Sequence, residues 1–163
     1  MTNFWRELED ISLGGSAVAP SDFVLPPGQR LRIVFYVLCE AWRFRRLNSS
    51  EVMGWIANKQ KNFIVNGVPV QSGDQRGLAR ISNVILATTR VVFLPRDCLS
   101  TSSVLCAVFL RLGVPASLVL GRLHGVVHLT YQFHAWVEVD GWPVNEGAEA
   151  NDWTEVVLRL QPR

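Results

Sequence analysis

Apolar positions recur at helical spacing through the first two thirds of the chain and alternate in the last third. Pro26-Pro27-Gly28 precedes a stretch from Gln29 to about Leu47. There Leu31, Val34, Phe35, Leu38, Trp42 and Arg45 follow i, i+3, i+4 spacing, which predicts a helix buried along that face. Arg43, Arg45 and Arg46 in its last turn suit the negative end of a helix dipole. Asn48-Ser49-Ser50 breaks the pattern, and one of the serines is expected to cap a shorter helix from Glu51 to about Lys61. A third helix is predicted over Leu78 to Thr89, with Leu78, Ile81, Ile85 and Thr89 on its apolar face. A fourth runs from Cys98 to Leu112, with Leu99, Ser102, Leu105, Ala107, Val108, Phe109 and Leu112 inward. Gly113 ends it and Pro115 prevents its continuation. The linking pieces read as a short helix up to about Asp10, a loop over 13–22, a turn at Asn66-Gly67, a loop from Gln71 to Gly77, and an extended piece stopped by Pro95.

The period then changes to two. Ala116 to Leu120 is a short β-type run, followed by a loop from Gly121 to Val127. Leu129 to Val139 alternates and ends at Asp140-Gly141, a strong hairpin signal. Trp142 to Asn145 is the expected return strand and Thr154 to Leu160 a last one. Helices first and antiparallel strands last define the α+β class.

At 163 residues the chain is expected to form one domain, 1–163, and an apolar fraction of 48% is enough for a packed core. Charged residues make up only 18%, which suggests surface covered by a partner or a peptide. A net charge of +2 is too mild for a protein that relies on phosphate neutralisation, so nucleic acid is excluded as the main partner. All basic residues except Lys59 and Lys61 are arginines, whose two-pronged geometry matches acidic peptides. The apolar run Ile33 to Trp42 is interrupted by Glu40 and too short for a membrane span. The opening residues have no secretory pattern. Cys39, Cys98 and Cys106 are odd in number and lack metal-ligand spacing. This argues against a disulfide framework or a zinc site and for a cytoplasmic protein.

The candidate chemistry centres on Arg96-Asp97-Cys98-Leu99. Asp97 suits an N-cap and places Cys98 in a first helical turn, where backbone N–H groups favour a thiolate; the competing reading is a small buried apolar residue. Cys39 and Cys106 lie in apolar helical stretches and are expected in the core. A nucleophile needs a base. His124 and His128 fall in a loop-like segment, whereas His134 lies mid-strand, where it is held rigidly or is simply a satisfied strand residue. With an ideal two-residue turn, Asn145 shares a face with His134, and Glu146 does so only if a bulge shifts the register. Either side chain can orient an imidazole.

Two pieces carry a resemblance: DCLSTSSVLCAVFLRLGVPASLVLG, residues 97–121, and HAWVEVDGWPVNE, residues 134–146. In this order, with the histidine 36 residues after the cysteine, they resemble the transglutaminase-like cysteine protease of lasso-peptide biosynthesis, the B protein that removes the leader peptide. The arginine-rich helical stretch from about Pro26 to Leu47 also looks like this family's N-terminal helix. The resemblance implies a transglutaminase-like, papain-like core, with a catalytic helix packed on an antiparallel sheet. It divides the chain into a mainly helical region, 1–66, and a catalytic core, 67–163. It implies Cys98 as nucleophile, His134 as general base, and Glu146 as third member where the family carries Asp. That assignment in turn implies a bulge or a longer turn, with Asn145 as the alternative.

The implied partners are a leader–core precursor peptide, a separate winged-helix leader-recognition protein and the lasso cyclase that uses the released amine. No metal or cofactor is implied. Residues 1–66 read as helical with no opening strands, so the recognition domain is expected to be a separate protein. The apolar stretch with Arg43, Arg45 and Arg46 is candidate docking surface, or a solvated basic helix end. Trp136, Trp142 and Trp153 either line a peptide groove or pack the hairpin. Two other functions compete: a transglutaminase-type acyl transferase and an inert peptide-binding scaffold.

Overall fold

The computed structural model describes residues 25–63, 75–92, 98–123, 133–146 and 154–162. The expectations for the first helix to Asp10, the loop over 13–22, the Asn66-Gly67 turn, Pro95, Asp97, His124, His128 and Trp153 lie outside the described residues.

Helix α1 (Pro27–Phe44) starts with proline in its first turn, where the missing N–H costs nothing. Its buried residues are Ile33, Val37, Glu40, Ala41 and Phe44. The face expected inside is instead outside: Leu31, Phe35, Leu38 and Trp42 are exposed and Val34 is half-buried. The helix carries two apolar stripes on nearly opposite sides, and periodicity alone does not say which of them meets the core. Cys39, expected in the core, is half-buried for the same reason.

Helix α2 (Ser49–Lys61) is capped by Asn48 rather than by a serine. Asn48 Oδ1 accepts from the Glu51 N–H at 3.0 Å while Glu51 Oε2 accepts from the Asn48 N–H at 2.8 Å, a reciprocal capping box. Ser50 supports the cap by donating to Asn48 Oδ1. Near the other end, buried Gln60 Nε2 donates to the carbonyls of Ala116 and Leu160, tying α2 to the sheet.

Helix α3 (Gln75–Val92) extends the prediction at both ends and turns residues expected in a loop into its first turn. Leu78, Ile81, Ile85 and Thr89 are buried as the spacing requires, with Thr89 Oγ1 donating to the Ile85 carbonyl. Helix α4 (Cys98–Arg111) is the central element, buried continuously from Ser102 to Leu110 between the other helices and the sheet. Gly113 ends it at φ 80, with the Val114 N–H on the Phe109 carbonyl and the Gly113 N–H on that of Leu110, a Schellman stop.

The strands are β1 (Ala116–Leu123), β2 (Phe133–Val139), β3 (Trp142–Pro143) and β4 (Thr154–Leu160), in the antiparallel order β3-β2-β1-β4. β1 is longer than expected because Gly121 to Leu123 pair with β4 beyond a register shift at Leu120/Gly121. The described part of β2 begins at Phe133, after the predicted Leu129. β4 has the predicted bounds. Val137 and Val139 point into the core shared with α4, so Trp136 and Glu138 lie on the other side of the strand. Four helices and a four-stranded antiparallel sheet among the described residues make an α+β fold. None of these helices is long and apolar enough to cross a membrane.

Buried Glu40 joins three helices. Arg111 Nε lies 2.7 Å from Oε1, Lys59 Nζ 3.7 Å from Oε1 and Arg43 Nη1 3.8 Å from Oε2. Burial pushes the Lys59 ammonium below the ordinary lysine range, with Arg111 and Arg43 adding to this and Glu40 opposing it. Removing the carboxylate leaves three cations facing one another. Glu40→Ala is therefore expected to lower stability by about 3–5 kcal/mol, measured by urea denaturation. A loss below about 1 kcal/mol contradicts this role.

Candidate active site

Cys98 is the first residue of α4, whose opening N–H groups have no partner within the helix. It is half-buried, and its Sγ lies 3.8 Å from the carbonyl oxygen of Phe133, the residue preceding His134. The head of the helix therefore abuts the strand that carries the histidine. One turn further on, Ser102 Oγ donates to the carbonyl of Ala135 at 2.8 Å, fixing helix and strand from the other side of His134.

His134 Nε2 lies 3.0 Å from Glu146 Oε1, with both side chains mostly shielded from solvent. This contact turns Nε2 toward the carboxylate. The structure thus sets Glu146 against the His134 ring and Cys98 against the backbone of the residue before the histidine.

The way Glu146 arrives corrects one expectation. The turn is not lengthened: Asp140 and Gly141, at φ 51 and 81, form the two-residue connection, and Val139 pairs directly with Trp142. The return strand ends early instead. Val144 donates to the Val137 carbonyl as a regular ladder requires, but the Val137 N–H is taken by Asn145 Oδ1 at 2.8 Å. The side chain of Asn145 stands in for a backbone acceptor, and the chain bends through 145 and 146. Asn145 Nδ2 also donates to Ser102 Oγ at 3.3 Å. Asn145 therefore anchors the hairpin to the helix, while Glu146 is the residue that reaches the imidazole.

Trp136 is buried and lines no groove, whereas Trp142 is exposed. The Trp136 ring is stacked on His134 at 6.1 Å between centroids, and its Nε1 donates to Glu138 Oε1 at 2.9 Å. Buried Glu138 is in turn held by Arg159 from β4. Gly121 stands opposite His134 in the β1–β2 ladder and makes room for the indole. A Cβ there would come within 2.7 Å of two Trp136 ring carbons. Burial raises the Cys106 thiol above its usual range, so it stays protonated, with Sγ against the Ala116 carbonyl. The sequence pointed to Cys98, His134 and Glu146. It set Ser102 inward and Asn145 on the face of His134, but it did not reveal their hydrogen bonds to the strand or the space that Gly121 leaves for Trp136.

The family comparison agrees with the α+β fold. The model for the Transglutaminase-like superfamily matches residues 41–158, most of the chain, and the chain belongs to that superfamily. The superfamily accommodates both cysteine peptidases and acyltransferases. No curated protein and no solved structure matches the chain.

Gly121→Ala is expected to displace Trp136 and lower stability by about 1–3 kcal/mol, read by urea denaturation followed by tryptophan fluorescence. Unchanged stability and spectrum contradict the close approach.

Proposed function

We propose that this chain is a cysteine peptidase that removes the leader from a lasso-peptide precursor. The observation that carries the reading is the Glu146–His134 contact on the strand that Cys98 abuts. Within the superfamily, the resemblance of residues 97–121 and 134–146 to the lasso-pathway protease is what supports this substrate class.

In this mechanism His134 Nδ1 takes the Cys98 proton and Glu146 holds the resulting imidazolium in orientation. The sulfur attacks the last leader carbonyl, and the oxyanion is stabilised by backbone N–H groups at the head of α4. The carbon–nitrogen bond breaks as the imidazolium gives its proton to the departing amine, which becomes the core N-terminus. Water then gives a proton to His134 and its hydroxide to the thioester. This releases the leader as an acid and restores the thiol. The amine is the group that a separate cyclase joins to an acidic side chain. We place the reaction in the cytoplasm, with a winged-helix protein presenting the leader.

The test combines the chain, a leader-recognition protein and a leader–core precursor, with products weighed by mass spectrometry. Hydrolysis at the leader–core junction is expected, absent in Cys98→Ala and slowed at least roughly tenfold in Glu146→Gln. A product carrying an added amine instead of water identifies an acyl transferase. No product under any condition, with the precursor bound, identifies an inert scaffold. Efficient leader-dependent cleavage by the chain alone removes the recognition partner from the proposal.

A further inference from the structure

The outer face of α1 holds four large apolar side chains in solvent. Leu31, Phe35, Leu38 and Trp42 are 71%, 61%, 45% and 61% exposed. Their helical spacing sets them in one seam about 17 Å long at 1.5 Å per residue. The face that packs on α3 and α4 lies nearly opposite. Elsewhere among the described residues, exposed large apolar side chains occur singly, as Phe133 and Trp142, or as adjacent pairs, Val91-Val92 and Val156-Val157.

The charge around the seam has one sign. Between Leu25 and Asn48 the basic residues are Arg30, Arg32, Arg43, Arg45 and Arg46, and their one carboxylate, Glu40, is buried. Arg43 is turned inward, to Glu40 and the Trp55 ring, while the other four arginines are exposed. At about 100° per residue, Arg30 and Arg32 flank Leu31 on its two sides, and Arg46 follows Trp42 by one turn on the seam's own face. The Arg46 guanidinium stacks on the Trp42 ring at 3.9 Å, and Arg32 Nε donates to the Tyr36 hydroxyl. Glu51, the next acid along the chain, is engaged in the capping box of α2.

An apolar and aromatic seam bordered by arginines, on a helix that lies along the surface, is complementary to an anionic bilayer. The apolar ends enter the boundary between headgroups and acyl chains, where an indole is favoured. The long arginine stems let the guanidinium groups stay among the lipid phosphates. A bilayer surface accepts a convex ridge of this kind, whereas a bound peptide needs a groove or a free strand edge. A second copy of the face would set arginines against arginines.

We infer that the outer face of α1 rests on an anionic membrane surface, with Leu31, Phe35, Leu38 and Trp42 inserted and Arg30, Arg32, Arg45 and Arg46 on the phosphates. The contact is peripheral, since the opposite face of α1 belongs to the core. The inference is independent of the proposed peptidase activity.

Cosedimentation of the full-length chain with vesicles tests it, at about 0.15 M salt, where surface charge is already screened. Vesicles of phosphatidylcholine and phosphatidylglycerol in equal parts are expected to bind at least roughly tenfold more tightly than phosphatidylcholine alone. Phe35→Glu/Trp42→Glu is expected to weaken binding at least roughly tenfold, and Arg30→Gln/Arg32→Gln/Arg45→Gln/Arg46→Gln by a similar factor. Lys61→Gln/Arg90→Gln, which removes charge away from the face, should leave most of the binding. Unchanged urea unfolding shows that each variant is folded; Leu31→Ser/Leu38→Ser replaces the first if it is not. No binding to the anionic vesicles overturns the inference. So does binding that survives loss of the seam, or equal loss in Lys61→Gln/Arg90→Gln, since general basic charge then accounts for it. A solution dimer, or a leader-recognition protein, held by this face in place of vesicles also overturns it.

Discussion

The hydrogen bond from Ser102 Oγ to the Ala135 carbonyl sets the geometry on which the candidate site depends. Ser102 lies one turn after Cys98 and Ala135 one residue after His134, so a single contact fixes the head of the helix against the histidine strand. Asn145 completes the clamp by binding both Ser102 Oγ and the Val137 N–H. The same Asn145 contact ends the return strand, and that ending delivers Glu146 to the imidazole. One polar junction thus ties together the helix that begins at Cys98, the strand that carries His134 and the bend that leads to Glu146. It works because α4 is buried along its length and has little freedom to slide.

A second chain of contacts supports the ring from the far side. Arg159 holds Glu138, Glu138 accepts from Trp136, and Trp136 stacks on His134, with Gly121 leaving space for the indole. The alternation of β2 makes this possible, since His134, Trp136 and Glu138 share one face while Val137 and Val139 fill the core on the other. His-Ala-Trp-Val-Glu is therefore a structural sentence as much as a chemical one: each alternate residue braces the one before it.

Much of this was legible from residue spacing. The central helix with its glycine stop, the two-residue hairpin and the last strand follow from local chemistry that tertiary contacts do not override. The bend at Asn145 was not legible, because an ideal ladder puts Asn145 rather than Glu146 beside His134. Only the side-chain bond to the Val137 N–H shows where the ladder stops. The buried face of α1 was misassigned because the helix has two apolar stripes and its inner one contains Glu40. A carboxylate reads as solvent-facing until Arg43, Lys59 and Arg111, distant in sequence, are seen around it. The serine cap failed for a simpler reason: Asn48, one residue earlier, already makes the reciprocal pair with Glu51.

The proposed peptidase requires the Cys98 sulfur and the His134 ring to meet where the head of α4 abuts β2. Treatment of the native chain with 1,3-dibromoacetone, which alkylates a thiol and then a neighbouring nitrogen, followed by peptide mapping, measures this directly. The account predicts a three-carbon bridge joining the Cys98 peptide to His134. Alkylation of Cys98 with no bridge to His134, in a chain that keeps its native circular dichroism, would contradict it.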